Sequence, residues 1–152
     1  MKTILFLFST VFFCEILMAQ SPSGLPILEN PGKSDTTSNG EYLAVIQTAA
    51  PLSKLYIFNL KKVGIEKIAT IQGTFNTLTF SSLNDEIILS QGNDLVRYNW
   101  RTEKEMTRYK QSHHIDYHQR LDSYDHVLCR FEFSFVGFDL QTGKPYFSKD
   151  SK

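Results

Sequence analysis

The sequence predicts an all-β fold of repeated, antiparallel four-stranded sheets, and three observations carry that prediction. First, a strand-then-turn pattern recurs every 40 residues: Leu55-Tyr56-Ile57-Phe58-Asn59-Leu60, Leu95-Val96-Arg97-Tyr98-Asn99-Trp100 and Phe135-Val136-Gly137-Phe138-Asp139-Leu140. A fixed period of this size marks a repeat architecture. Second, the 152 residues include 12 Phe and 7 Tyr, and aromatic residues suit the half-buried surface of a pleated sheet. Third, the apolar runs are short, β-branched and bounded by Gly, Asn, Asp or Ser, as strands are and helices are not.

In chain order, residues 1–19 predict a secretory signal peptide. Lys2 supplies the positive end, Ile4 to Cys14 an apolar core, and Ala19 a small residue before a cut that leaves Gln20 first. Glu15 shortens the apolar run below the ~20 residues that a spanning helix needs. Residues 20–39 carry Ser21-Pro22-Ser23-Gly24 and Asn30-Pro31-Gly32-Lys33 and read as a polar tether, with Leu25 to Leu28 as a candidate edge strand. Residues 40–152 form the repeat domain, in blades of about 40–75, 76–113 and 114–152.

The first blade turns at Ser38-Asn39-Gly40-Glu41, then predicts strands at Tyr42–Ile46, Leu55–Leu60 and Ile65–Ile71, with Ala49 to Ser53 as a loop. The second predicts strands at Thr77–Phe80, Glu86–Ser90, Leu95–Trp100 and Glu105–Tyr109. A short helix over Arg101–Gln111 competes for the last, because that run is rich in helix formers. The third predicts Ile115–Arg120, His126–Phe131, Phe135–Leu140 and a strand from Pro145 to Ser148.

Side chains alternate between the faces of a strand. One face of the repeated strand carries Tyr56, Phe58 and Leu60, then Val96, Tyr98 and Trp100, then Val136, Phe138 and Leu140. All nine are apolar or aromatic, as expected if each blade stacks that face on its neighbour. Asn59, Asn99 and Asp139 end the strand, where a short polar side chain can bond the turn backbone. Gly143 suits a left-handed turn position; the first blade has Gly64 nearby and the second has Glu103.

Leu78-Thr79-Phe80-Ser81-Ser82-Leu83-Asn84-Asp85-Glu86-Ile87-Ile88-Leu89 resembles the first two strands of a WD repeat. Phe138-Asp139-Leu140-Gln141-Thr142-Gly143-Lys144 resembles the end of one, with Phe138 in the tryptophan position. The resemblance spans Ser38 to about Ser148 and implies a β-propeller. No Gly-His pair opens a blade and no Trp-Asp pair closes one, so no functional residue carries over from the family. Propellers commonly have about four to eight blades, so two and a half to three blades predict an incomplete ring. Assembly of copies into a ring, an open curved sheet, and a fragment of a longer propeller protein are the three ways to accommodate it.

Composition narrows function. Lys+Arg and Asp+Glu both number 16, so no net field draws nucleic acid or an anionic membrane, and neither is expected as a partner of the mature chain. After cleavage Cys129 is left as a single thiol in an apolar run, and the fold does not depend on a disulfide. The leader, with no Asn-x-Ser/Thr site, points to a periplasmic or secreted protein. Phosphate-loop, nucleophile-elbow and His-Glu-x-x-His motifs are absent. Arg97, Arg101, Lys104, Arg108 and Lys110 make the second blade locally basic, but Glu103 and Glu105 lie among them, which reads as a solvated face.

One polar constellation remains. In His113-His114-Ile115-Asp116-Tyr117-His118, residues His114, Asp116 and His118 share a strand face and are candidate ligands for zinc or iron. Extended backbone spaces them by ~7 Å, too far for one ion without a bend or another strand's ligand. The competing reading is a solvated polar strand. The chain is therefore expected to be an exported, non-catalytic β-repeat protein without a cofactor, binding another protein or itself. The alternatives are a metal-dependent enzyme at those three residues, or a fragment.

Overall fold

The computed structural model describes residues 33–121, 126–132 and 134–150, with side chains as far as Pro145. The candidate leader, its cleavage site and Leu25–Leu28 lie outside the described residues. All regular structure described is β. Four strands, β1 (Ser34–Thr36), β2 (Tyr42–Ala49), β3 (Leu52–Asn59) and β4 (Gly64–Gln72), make the first sheet. The second holds β5 (Thr77–Phe80), β6 (Glu86–Gln91), β7 (Asp94–Asn99) and β8 (Lys104–Lys110). The third holds β9 (Tyr117–Arg120), β10 (His126–Phe131), β11 (Ser134–Asp139) and β12 (Lys144–Asp150). Each is an antiparallel meander in which strands pair in chain order. The first strands β1, β5 and β9 are neighbours, and the three sheets stack as blades of β-propeller type, in an incomplete ring.

Two details differ from expectation. Ser34–Thr36, inside the stretch read as a tether, is the inner strand of the first blade: Ser34 pairs with Val45 and Thr36 with Leu43. The Ala49–Ser53 loop contracts to Ala50-Pro51, whose peptide bond is cis, because β2 and β3 run up to it on both sides. The strand expected at Glu105–Tyr109 is present as Lys104–Lys110, and the competing helix does not form. The strand's backbone is taken by β7 along its length, and that pairing overrides helix propensity.

The 40-residue period extends to fine structure. A bulge falls between Ile57 and Phe58, between Arg97 and Tyr98, and between Gly137 and Phe138. Each leaves one extra residue on the fourth strand, namely Glu66, Met106 and Tyr146. The turn that follows is also built alike three times. Asn59 Oδ1 accepts from the amides of Lys61 and Lys62 at 3.1 and 3.0 Å. Asn99 Oδ1 accepts from the Thr102 amide at 2.9 Å, and Asp139 Oδ1 from the Gln141 amide at 2.7 Å. That amide, then the Thr142 hydroxyl, holds the Asp139 carboxyl below its usual range. Four residues after each cap the backbone is left-handed, at Val63 (φ 50°), Glu103 (φ 56°) and Gly143 (φ 69°). In the first blade the left-handed residue is therefore Val63 rather than Gly64, and Glu103 keeps the pattern.

Stacking makes two cores. Between the first and second blades, Tyr42, Ala44, Ile46, Leu55 and Ile57 meet Leu78, Phe80, Ile87, Leu89, Val96, Tyr98 and Trp100. Between the second and third, Ile88 and Leu95 meet Val127, Cys129, Phe131, Phe138 and Leu140. The faces Val96-Tyr98-Trp100 and Val136-Phe138-Leu140 each turn toward the preceding blade, as the alternation predicts. Tyr56 and Phe58 are also buried but join neither core.

Candidate functional site

The histidine-rich stretch was the sequence's candidate site, and the fold separates its members. His114 and Asp116 are exposed, whereas His118, on β9, is 2% exposed and enters the joint between the second and third blades. Among the described residues no three His, Cys, Asp or Glu side chains gather as a metal ion requires.

His118 is engaged at both ring nitrogens. Nε2 lies 3.1 Å from the Ile88 carbonyl oxygen. A carbonyl only accepts, so Nε2 carries the proton and donates. Nδ1 then accepts from the Thr77 hydroxyl at 2.6 Å. Thr77 Oγ1 in turn accepts from Ser90 Oγ at 2.5 Å. The chain Ser90–Thr77–His118–Ile88 thus has one direction and one tautomer, reaching from sheet to sheet. Burial lowers the imidazole pKa to about 4, against the opposing pull of the Ile88 carbonyl. With no nitrogen left over, His118 is a joint residue. Cys129, opposite it on β10, is likewise closed in: burial pushes its thiol up to about 12, which keeps it protonated and unreactive.

Other polar groups cross the joints. Asp35 on β1 accepts from Thr79 Oγ1 at 2.7 Å and from the Phe80 amide at 2.8 Å, tying the first blade to the second. Arg120 on β9 donates to the Ser81 carbonyl at 2.7 Å. Arg97 donates to Glu86 and, across the joint, to the Leu140 carbonyl at 3.1 Å; the Tyr109 hydroxyl donates to that same carbonyl. Three of the basic residues in the second blade are bound to carboxylates: Arg97 to Glu86, Arg101 to Asp85, and Arg108 to Asp94 and Glu105.

The third blade presents its other face outward. Tyr117, Arg130 and Phe135 form one cross-strand row there. Leu55 and Leu95, at the position of Phe135 in the earlier blades, are 0% exposed, while Phe135 is 37% exposed and Tyr117 41%. This is a blade-facing surface without a blade on it among the described residues. An incomplete ring implies an open apolar face, but the sequence does not single out Phe135, because Leu55, Leu95 and Phe135 all read as core. Sequence reasoning missed the His118 chain because Thr77 lies 41 residues away; the available signal was Thr77 and Ser90, small polar residues inside strands.

No family model matches the chain, and no curated protein matches it in sequence. Among solved structures it is similar to Kuenenia stuttgartiensis hydrazine synthase, with a TM-score of 0.66 and 10% identity over 87% of this chain. The match spans 40% of the length of that chain. A likeness at this identity concerns the fold alone, and it is the stacked, propeller-like β-repeat that the two share.

Proposed function

We propose that this chain is an exported, non-catalytic binding protein built on repeats of WD type, and that it works by packing the open face of its third blade on protein, in the simplest case a second copy. The observation that carries this reading is Phe135, exposed where Leu55 and Leu95 are sealed by a following blade. Two aromatic side chains with Arg130 between them suit a protein surface, since Tyr, Phe and Arg are enriched in interface cores. The chain has even charge and its Arg97, Arg101 and Arg108 are satisfied by carboxylates, so nucleic acid has little to attract it.

Mass in solution tests this. Light scattering should give a dimer or trimer for the wild type and a monomer for Phe135→Asp, with both folded by circular dichroism. A monomer for both would exclude self-association, and Phe135→Asp would then be compared with the wild type for cross-linking to proteins of its own compartment. Equal cross-linking would sink the open-face reading. Export is tested separately by intact mass of the protein recovered from its native host: a chain beginning at Gln20 is expected, and a chain that keeps Met1 to Ala19 would refute it.

A further inference from the structure

We propose that the joint between the second and third blades is an acid-sensitive latch, with His118 as the group that closes it only when neutral. The geometry sets the condition. The ring is buried in the joint, Nε2 donates to Ile88, and Nδ1 holds the Thr77 hydroxyl that Ser90 in turn supports. A second ring proton at Nδ1 faces the Thr77 oxygen, whose own proton points at Nδ1. To accept it, Thr77 must turn its hydroxyl toward Ser90, and Ser90 must find another acceptor.

Among the described residues nothing around the ring offers a compensating negative charge. From β5 comes Thr77, from β6 the Ile88 carbonyl and Ser90, and from β10 Cys129, which stays a thiol. Glu86 is held by Arg97 on its own sheet. Arg120, two residues along β9, is positive and bound to the Ser81 carbonyl. Asp116, two residues back, is exposed. Among the described residues the joint between the first and second blades holds no imidazole: its polar ties include Asp35 with Thr79 and Phe80, Arg101 with Tyr42, and Lys67 with Glu103. Acid should therefore act on one joint and spare the other. The third blade also ends the described stack and rests on one neighbour, so it is placed to open by itself.

The sign follows from the two states. With the joint closed, the ring takes a proton only near pH 4; with the joint open it behaves as an ordinary histidine, at about 6.5. As pH falls below that value, the open form binds a proton that the closed form refuses, so opening grows until about pH 4 and then levels off. Between pH 7 and pH 5 the opening constant should rise ~20-fold.

Amide exchange on the full chain, corrected for the pH dependence of intrinsic exchange, is the test. The β9 to β11 amides should lose protection ~20-fold from pH 7 to pH 5, while those of β2 and β3 and the Trp100 fluorescence stay nearly constant. His118→Leu, which gives β9 the residue that Leu78 is in β5, should flatten the dependence. Equal loss in all three blades, or a His118→Leu chain that keeps the wild-type slope, would overturn the latch. Should that variant not fold, the wild-type ring still decides by its NMR titration: it should remain neutral at pH 5, and an ordinary midpoint in the folded chain would end the proposal.

Discussion

Trp100→Ala should lower the stability of the folded chain by about 3–5 kcal/mol, the usual cost of removing a buried tryptophan. Trp100 is 1% exposed and holds the first joint together from the second blade. Its ring lies 5.3 Å from that of Tyr42 across the joint, the Arg101 guanidinium covers it at 4.3 Å, and Nε1 donates to the Asn84 carbonyl at 2.8 Å. Alanine leaves a void between two sheets that cannot close without breaking strand pairing. Domains of this size are stable by only about 5–15 kcal/mol, so the loss is a large share. Urea unfolding followed by circular dichroism measures it. Trp100→Phe separates packing from hydrogen bonding: it fills most of the space but frees the Asn84 carbonyl, for a cost of about 1–2 kcal/mol. An alanine variant within 1 kcal/mol of the wild type would show that the two blades are not held at this point.

Gly143→Ala should be the next most damaging change, at about 2–4 kcal/mol, combining a left-handed backbone that disfavours a Cβ with overpacking. Gly143 has φ 69°, and a Cβ there would collide with the Tyr109 ring. The ring cannot easily turn away, because its hydroxyl is bound to the Leu140 carbonyl. Val63 occupies the same turn position in the first blade at φ 50°, but is 70% exposed. Val63→Gly should therefore act oppositely and raise stability by about 0.5–1 kcal/mol, the relief of strain exceeding glycine's added backbone entropy. The same urea assay reads both variants. Losses of equal size at both positions would mean that the turns are not equivalent devices.

What the sequence made legible is what repeats locally. Asn59, Asn99 and Asp139 share a 40-residue spacing with the bulges beside them, since both arise from a strand meeting its own hairpin. What stayed hidden depends on distant pairing. Ser34-Asp35-Thr36 has no apolar alternation and lies among turn formers; it is a strand because Leu43 to Val45 supply its hydrogen bonds. At Lys104 to Lys110 the sequence favours strand but leaves a helix open, and pairing with β7 removes that alternative. His118 looked like one of three ligands on an extended strand. Its real partners come from β5 and β6, and no spacing rule within residues 113–118 could find them. Tyr56 and Phe58 matched their counterparts in pattern, yet only the later blades place that face on a described sheet.

The meander order of each sheet has a kinetic consequence. Every strand bonds only to the strands before and after it in the chain, so no pairing waits for a distant segment to arrive. Closing short loops costs little entropy, and local contacts speed folding even where β-structure usually slows it. A chain emerging from its N-terminus can complete one sheet while the next is still unmade, then lay each finished sheet on the last. The half-built product always carries one exposed apolar face, and the rate at which the following sheet covers it sets how long the nascent chain is at risk of aggregation.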